Sequence, residues 1–304
     1  MKLNPLVKDL RLYDVVEHTP GVAKDLEHIC SFGAVSGFWD PISSKDKPQL
    51  LQALKGANLV LIPAGVPRKP GMSRDDLFGI NASIVAGLCK GIAAACPDAF
   101  VGIISNPVNS TVPIAAEVLK KAGCFDPKRL FGITELDLTR SKSFYSDLMG
   151  QRPEHVTVPV IGGHSGVTIV PLLSQATPQA DAETSKTAFP ALVKRIQSAG
   201  TEVVKLKAGK GSATLSMAYS ASAFATACLK ALGGKPQVAY AYVQSKLIPH
   251  VPFFASKVTI GSRGIEEFSP IGLLSKDEQV LLEAAIKPLQ DSIKKGVSFV
   301  KANM

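Results

Sequence analysis

Four side chains in this sequence are of the types needed to hold a small dianion and to move one proton. Arg68 and Arg74 lie in Pro67-Arg68-Lys69-Pro70-Gly71-Met72-Ser73-Arg74, Arg140 closes Asp137-Leu138-Thr139-Arg140, and His164 ends Gly162-Gly163-His164. A guanidinium presents a planar fork of donors that matches a carboxylate. An imidazole exchanges a proton near neutral pH, and an aspartate such as Asp137 can hold it in one tautomer. Each residue has a plainer reading when taken alone. Loop arginines are commonly solvated, Asp137 and Arg140 at i and i+3 make an ordinary helical ion pair, and a lone histidine is more often structural. The Gly-Gly step before His164 and the Asp-x-x-Arg pattern upstream tip the balance toward chemistry.

Such groups need a frame. Residues 10–16, 58–64 and 100–105 read as strands, the latter two as short apolar runs of the kind buried in parallel sheets. Residues 81–95 have the length and small-apolar content of a helix. This alternation predicts an α/β fold with a doubly wound, Rossmann-type parallel sheet, whose ligands sit beyond the carboxyl ends of the strands. Arg68, Asn81 and Asn106 all fall there or on the helices these strands feed. The character changes near residue 133, which divides the chain into 1–132 and 133–304, the second part an α+β unit. In it, 156–161 and 168–172 read as strands. Residues 188–206 carry Leu192, Ile196, Ala199 and Val203 at helical spacing. A last helix opens on the capping box Ser275-Lys276-Asp277-Glu278 and carries Leu282, Ile286, Leu289 and Ile293 on one face, with Pro288 expected to kink it and Gly296 to break it. Residues 38–48 read as a surface loop.

Composition excludes several classes. The 304 residues are 46% hydrophobic and 19% charged, enough for two packed domains. No uninterrupted apolar run approaches the roughly 18 residues of a membrane span, and the start has no apolar leader segment, so no membrane partner is expected. The net charge of +9 is carried by scattered lysines without interleaved aromatics, which argues against nucleic acid and for steering of anionic substrates. Cys30, Cys89, Cys96, Cys124 and Cys228 are odd in number and form no C-x-x-C. That argues against disulfides or a zinc site, for a reducing compartment, and for small core residues.

Several longer stretches carry a resemblance. Thr19-Pro20-Gly21-Val22-Ala23, Ala64-Gly65-Val66-Pro67-Arg68-Lys69-Pro70-Gly71-Met72 and Ile104-Ser105-Asn106-Pro107-Val108-Asn109-Ser110 are followed by Leu136-Asp137, Pro159-Val160-Ile161-Gly162-Gly163-His164 and Gly211-Ser212-Ala213-Thr214-Leu215-Ser216-Met217. In this order they resemble the malate dehydrogenases of bacteria and eukaryotic organelles, over essentially the whole chain. The resemblance implies an NAD-dependent enzyme acting on malate and oxaloacetate, usually a homodimer. It makes His164 the general base, Asp137 its orienting partner, and Arg140 the grip on the carboxylate next to the reacting carbon. Arg74 would polarise the reacting C–O bond, Arg68 would receive the distal carboxylate, and Asn106 would hydrogen-bond in the site. Asn81, Ile104, Ser105, Asn106 and Met217 would line the cofactor. Asp14, at the end of its strand, fits the acid that binds the adenosine ribose and favours NAD over NADP.

The departure from the family lies at the front. A glycine-rich turn should precede that acid by about 20 residues, and counting back from Asp14 passes Met1. Residues 2–7 resemble the end of the family's first helix, so the family's first strand, which lies in the middle of the sheet, and its glycine loop are absent, and the strand at 10–16 should lack a neighbour. Two readings are open: Met1 is an internal methionine of a longer active enzyme, or the chain is a degenerate paralogue. Survival of the catalytic groups favours the first, which expects in-frame coding for a strand and G-x-x-G-x-x-G upstream. Glu135 also stands where the family often has threonine. Rival functions are a monocarboxylate 2-hydroxyacid dehydrogenase, against which Arg68 argues because an unpaired arginine rejects a methyl group, and a non-catalytic interaction subunit. The compartment is read as an organelle matrix, mitochondrial or peroxisome-like, or as cytoplasm; the tail Ala302-Asn303-Met304 lacks the basic residue of a peroxisomal tripeptide.

Overall fold

The computed structural model describes residues 1–66 and 74–304, except for the side chains of 74–77. Arg68 lies outside the described residues, and only the backbone of Arg74 is described.

Residues 1–8 form turns rather than the end of a helix. Strand β1 (Asp9–Asp14) leads through α1 (Thr19–Glu27) to β2 (Ala34–Trp39), which pairs with β1 in parallel. Gly37 sits where α1 crosses this sheet; a Cβ there would meet Pro20 Cα at 2.6 Å. Helix α2 (Pro48–Leu54) follows, its first amides at Gln49 and Leu50 donating to the buried Asp40 carboxylate. The proposed surface loop is therefore shorter than expected, since Phe38 and Trp39 complete β2 and Asp40 caps α2. Next come β3 (Leu59–Ile62), α3 (Arg74–Ala95), β4 (Phe100–Ile103), α4 (Val108–Lys121) and β5 (Leu130–Ile133). The apolar run Phe78–Ala95 has a mean hydropathy of 1.5 and the length to cross a membrane. Ala82, Val85, Ala86, Cys89 and Ile92 are nonetheless sealed against the sheet and α4 as core residues.

The parallel sheet is not one body. Strands β3, β4 and β5 belong to an eight-stranded sheet, whereas β1 and β2 form a separate two-stranded sheet. The expected α/β, Rossmann-type architecture is present, with its parallel strands divided between these two ladders. Among the described residues β1 pairs only with β2 and β3 only with β4, and three of the four residues of β3 are half-buried where β4 and β5 are wholly buried. Arg11 ties β1 to α2 instead, its guanidinium donating to the carbonyls of Ala53 and Lys55.

The second half supplies α5 (Glu135–Met149), β6 (Val160–Gly162), β7 (Ile169–Pro171), α6 (Ala182–Leu206), α7 (Leu215–Leu232), β8 (Gln237–Gln244), β9 (Phe253–Gly261), β10 (Gly264–Phe268) and α8 (Lys276–Asn303). The large sheet runs β3-β4-β5-β8-β9-β6-β7 with β10 on β9. Its parallel part joins the antiparallel part where Gly132 and Ile133 pair with Tyr242 and Ala241. The capping box opens α8 as expected. Pro288 and Gly296 do not interrupt that helix. At Gly296 helix α8 lies close against α4, and a Cβ there would lie 2.4 Å from the Ser110 carbonyl oxygen. Cys89, Cys96 and Cys228 are buried and Cys124 partly so, but Cys30 is exposed, a correction to its expected core position.

Candidate active site

The contact between His164 and Asp137 is assembled from two connections of the large sheet. Helix α5 follows β5 directly, and its first turn holds Glu135 and Asp137, whose charges suit the positive end of the helix dipole. Asp137 is 1% exposed. His164 arrives from the end of β6 through Gly162 and Gly163. Gly162 has φ +100°, and a Cβ on it would strike the Thr168 carbonyl oxygen, so only glycine lets the chain turn there. Gly163 donates its N–H to Thr168 O at 2.7 Å. The turn brings His164 Nδ1 to 2.6 Å from Asp137 Oδ2, with the imidazole side chain 9% exposed.

The electrostatics follow from this contact. Burial pushes the His164 pKa down, but the charge of Asp137 and its hydrogen bond together more than reverse this, so the imidazole ends above its ordinary value. With Asp137 accepting at Nδ1–H, Nε2 is the ring atom left to take or give a proton. Arg140, one turn along α5, is near enough for its charge to oppose protonation of His164. Burial lowers the guanidinium's own pKa, opposed by Asp137 and Glu202, yet an arginine stays charged in proteins. Among the described residues no hydrogen bond or ion pair spends that guanidinium. A half-buried cation of this kind is suited to an incoming carboxylate.

The other expected site residues divide into three groups. Asn106, exposed at the end of β4, has no side-chain hydrogen bond among the described residues, and its amide is available to a ligand. Ile104 and Met217 are half-buried and pack against one apolar cluster beneath α7, forming a wall. Asp14 is exposed at the end of β1, its carboxylate accepting the Val15 N–H at 2.6 Å. These groups fit the needs of a nicotinamide dinucleotide: a flat apolar surface, an amide and an acid for a ribose diol. Asn81 and Ser105 do something else with their side chains. Asn81 accepts from Val66 N and donates to Asn106 O, both at 2.9 Å, bracing the segments after β3 and β4 against each other. The Ser105 hydroxyl is buried and donates to the carbonyls of Ile62 and Ala64. Both side chains thus brace the backbone at the carboxyl ends of β3 and β4. Arg68 and the Arg74 side chain fall outside the described residues.

A cleft of about 1010 Å³ lies on the other face of α5, lined by Glu135, Leu138, Thr139 and Lys142 with Tyr219 and Tyr240. It contains none of His164, Asp137, Arg140 or Asn106. Burial lifts the Glu135 carboxyl from 4.5 to about 7, with Lys142 opposing. The candidate site is identified by the His164 contacts and not by the size of this cleft. A residue the motif reading passed over is Asn109, three positions after Asn106, whose amide reaches the His164 segment; its only sequence signal is the repeated asparagine in Asn-Pro-Val-Asn.

Comparison with known proteins identifies relatives over both halves of the chain. Residues 1–132 match the model of the lactate/malate dehydrogenase NAD binding domain, and residues 134–300 that of the lactate/malate dehydrogenase alpha/beta C-terminal domain. The chain is 55% identical over 300 residues to the glyoxysomal malate dehydrogenase of Oryza sativa subsp. japonica, covering 99% of this chain and 82% of that protein. It is 57% identical over 300 residues to the mitochondrial malate dehydrogenase 1 of Arabidopsis thaliana, covering 98% and 85%. The crystal structure of Cryptosporidium parvum malate dehydrogenase superposes with a TM-score of 0.78 at 29% identity, covering 95% of this chain and 91% of that one. The chain belongs to the lactate/malate dehydrogenase family.

Proposed function

We propose that this chain interconverts malate and oxaloacetate with NAD as the redox partner. The observation that carries the reading is the buried His164–Asp137 pair at 2.6 Å, with the uncommitted Arg140 guanidinium one turn away. In the oxidising direction His164 Nε2 takes the substrate hydroxyl proton. Asp137 fixes the tautomer beforehand and stabilises the imidazolium afterwards. In the reducing direction the same nitrogen returns the proton to the developing alkoxide. Arg140 grips the carboxylate beside the reacting carbon. Arg74 is assigned to the reacting C–O bond and Arg68 to the distal carboxylate, the contact that would select a dicarboxylate over a monocarboxylate. Asp14, Ile104, Asn106 and Met217 would hold the dinucleotide, which when bound supplies the hydride acceptor or donor.

The direct test is oxaloacetate-dependent NADH oxidation by the purified chain, with His164→Asn alongside. Turnover that disappears in the variant supports the reading. A soluble, folded chain without turnover sinks it in favour of a non-catalytic subunit. The division of labour is proposed as 1–132 for the dinucleotide and 133–304 for the substrate, matching the chemistry assigned to each half. A homodimer is proposed on the family resemblance, to be checked by sedimentation velocity. An organelle matrix is proposed as the location, supported by relatives named for mitochondria and glyoxysomes.

A further inference from the structure

The catalytic histidine is held at its ring by Asp137, but a ring contact of 2.6 Å also needs the backbone that carries it to be fixed. That backbone is a short connection between β6 and β7, two strands of three residues each. The group that reaches it comes from the other half of the chain. Asn109, in the first turn of α4 and 1% exposed, accepts the His164 N–H on Oδ1 at 2.8 Å. Its Nδ2 donates to Ser165 Oγ at 3.0 Å and to Thr168 Oγ1 at 3.1 Å. Thr168 Oγ1 in turn donates to Ser165 O at 2.7 Å and receives Ser165 N–H at 3.1 Å. The Asn109 carbonyl accepts from Tyr242 Oη at 3.3 Å, which anchors the amide's own helix turn to β8. Both donors and the oxygen of this side-chain amide are therefore committed to residues 164–168.

The fit is tight as well as polar. A Cβ on Gly163 would lie 2.7 Å from Asn109 Oδ1, 2.7 Å from Thr168 Oγ1 and 2.6 Å from Leu289 Cδ2. The backbone before His164 is thus pressed against Asn109 from one side and α8 from the other. A fully satisfied buried amide holds its partners in one arrangement, because any shift leaves a buried polar group unpaired.

We propose that Asn109 is a positioning residue for the proposed reaction: by gripping the His164 N–H and the Ser165–Thr168 turn, it sets the distance between the imidazole and Asp137. It touches neither substrate nor cofactor and acts through His164. The charged groups acting on the ring are Asp137 and Arg140, both from α5; α4 and the 164–168 turn contribute only neutral groups to this cluster. The consequence is specific. Burial alone would lower the imidazole pKa, and only close contact with Asp137 overrides it. A looser backbone lengthens that contact and hands the balance back to burial.

This inference deepens the proposed function and rests on it, but its main readout does not need turnover. The His164 imidazole is titrated by NMR in the parent, Asn109→Ala, Asn109→Asp and Ser110→Ala, with His164→Asn assigning the resonance. Ser110→Ala is the structural control: it removes a buried hydrogen bond to Ser292 O from the same helix turn and touches nothing in 164–168. Asn109→Ala is expected to lower the His164 pKa by about half a unit or more. It should also cut kcat by about tenfold or more with the malate KM within about threefold. Asn109→Asp keeps the acceptor for the His164 N–H and adds a negative charge, so the pKa should stay at the parent value or rise. Ser110→Ala should lower the melting temperature and leave the titration unmoved. If Asn109→Ala does not fold, Thr168→Val, which removes the hydroxyl that joins the amide to the turn, must lower the pKa in the same direction. A titration unmoved in Asn109→Ala or its substitute, with stability lost as in the control, overturns the proposal. A parent that titrates as expected but shows no turnover overturns the function and leaves the positioning role standing.

Discussion

Replacing Asp137 by asparagine tests the acid–base assignment most sharply, because it keeps the shape and removes the charge. The contact is a charge-assisted hydrogen bond of 2.6 Å between groups 1% and 9% exposed. Such bonds contribute about 1.5–3 kcal/mol, and each 1.36 kcal/mol is about tenfold in rate, so the bond alone accounts for about ten- to a hundredfold. The tautomer adds to this. An asparagine amide can donate to Nδ1, which leaves the proton on Nε2 and blocks the nitrogen that must accept. Loss of the carboxylate from a comparable catalytic triad costs about 10⁴ in kcat, so the expected fall in kcat/KM for malate oxidation is about 10²–10⁴. The pH dependence has a definite sign. Oxidation needs the neutral ring, and the parent pKa is raised, so the rate should climb as pH passes above about 6.5; reduction, which needs the imidazolium, should fall over the same window. In Asp137→Asn burial is unopposed and the limb should move to lower pH. Stability follows the same linkage. A raised histidine pKa contributes stability that is complete below about 6.5 and lost as pH rises through the folded value, so the stability gap between parent and variant should narrow with rising pH. A variant within about threefold of the parent and with an unmoved acid limb would refute the assignment.

Three further outcomes follow from the same structure. Glu135→Gln should remove a pH dependence of stability: burial holds the carboxyl at about 7, so between 4.5 and 7 the folded chain keeps a proton that the unfolded chain releases, and stability falls as pH rises. The variant should gain about 1–3 kcal/mol relative to the parent at pH 8 and little at pH 4, measured by urea unfolding at both; an equal gain at the two would show that the carboxyl is not desolvated. Gly296→Ala should lower the urea midpoint despite a helix-propensity gain of about 1 kcal/mol, since its Cβ would enter the Ser110 carbonyl at 2.4 Å and overpacking costs about 1–3 kcal/mol; a higher midpoint contradicts the close approach of α4 and α8. Amide hydrogen exchange should be faster in β1 and β2 than in β4 and β5, because a two-stranded sheet with half-exposed residues opens at lower free energy; equal protection would show that the small sheet is held by more than its own ladder.

What the sequence disclosed depended on how local each signal was. Asp137 and Arg140 share one helix and His164 follows two glycines, so the pair could be read from short strings. The apolar runs of β3 and β4 were equally plain. The bracing role of Asn81 and Ser105 was not legible, because their partners are backbone groups 15–43 positions away. Pro288 and Gly296 misled in the other direction. A proline whose neighbours keep the helix packed need not end it, and a glycine reads as a breaker until the helix that crosses it is known. Strands β8, β9 and β10 left no mark that separated them from the helices around them. β8 is buried on both faces over Ala241–Val243, which erases the period of two.

The arrangement of sheets separates two parts of the proposed chemistry. His164 hangs from β6, Asp137 from the helix after β5, and Asn106 from the end of β4, all in the eight-stranded sheet. Asp14 hangs from β1, in the other sheet. Among the described residues the ladder of each sheet is closed to the other, and β1 is attached through α1, α2 and the Arg11 contacts with α2. Opening of β1 and β2 should therefore displace the proposed ribose contact relative to the proposed cofactor wall at Ile104 and Met217, while the His164–Asp137 contact, carried by the large sheet and the Asn109 hydrogen bond, is left alone. Disruption of the β1–β2 ladder should therefore weaken the proposed capture of the dinucleotide before it disturbs the proposed proton transfer.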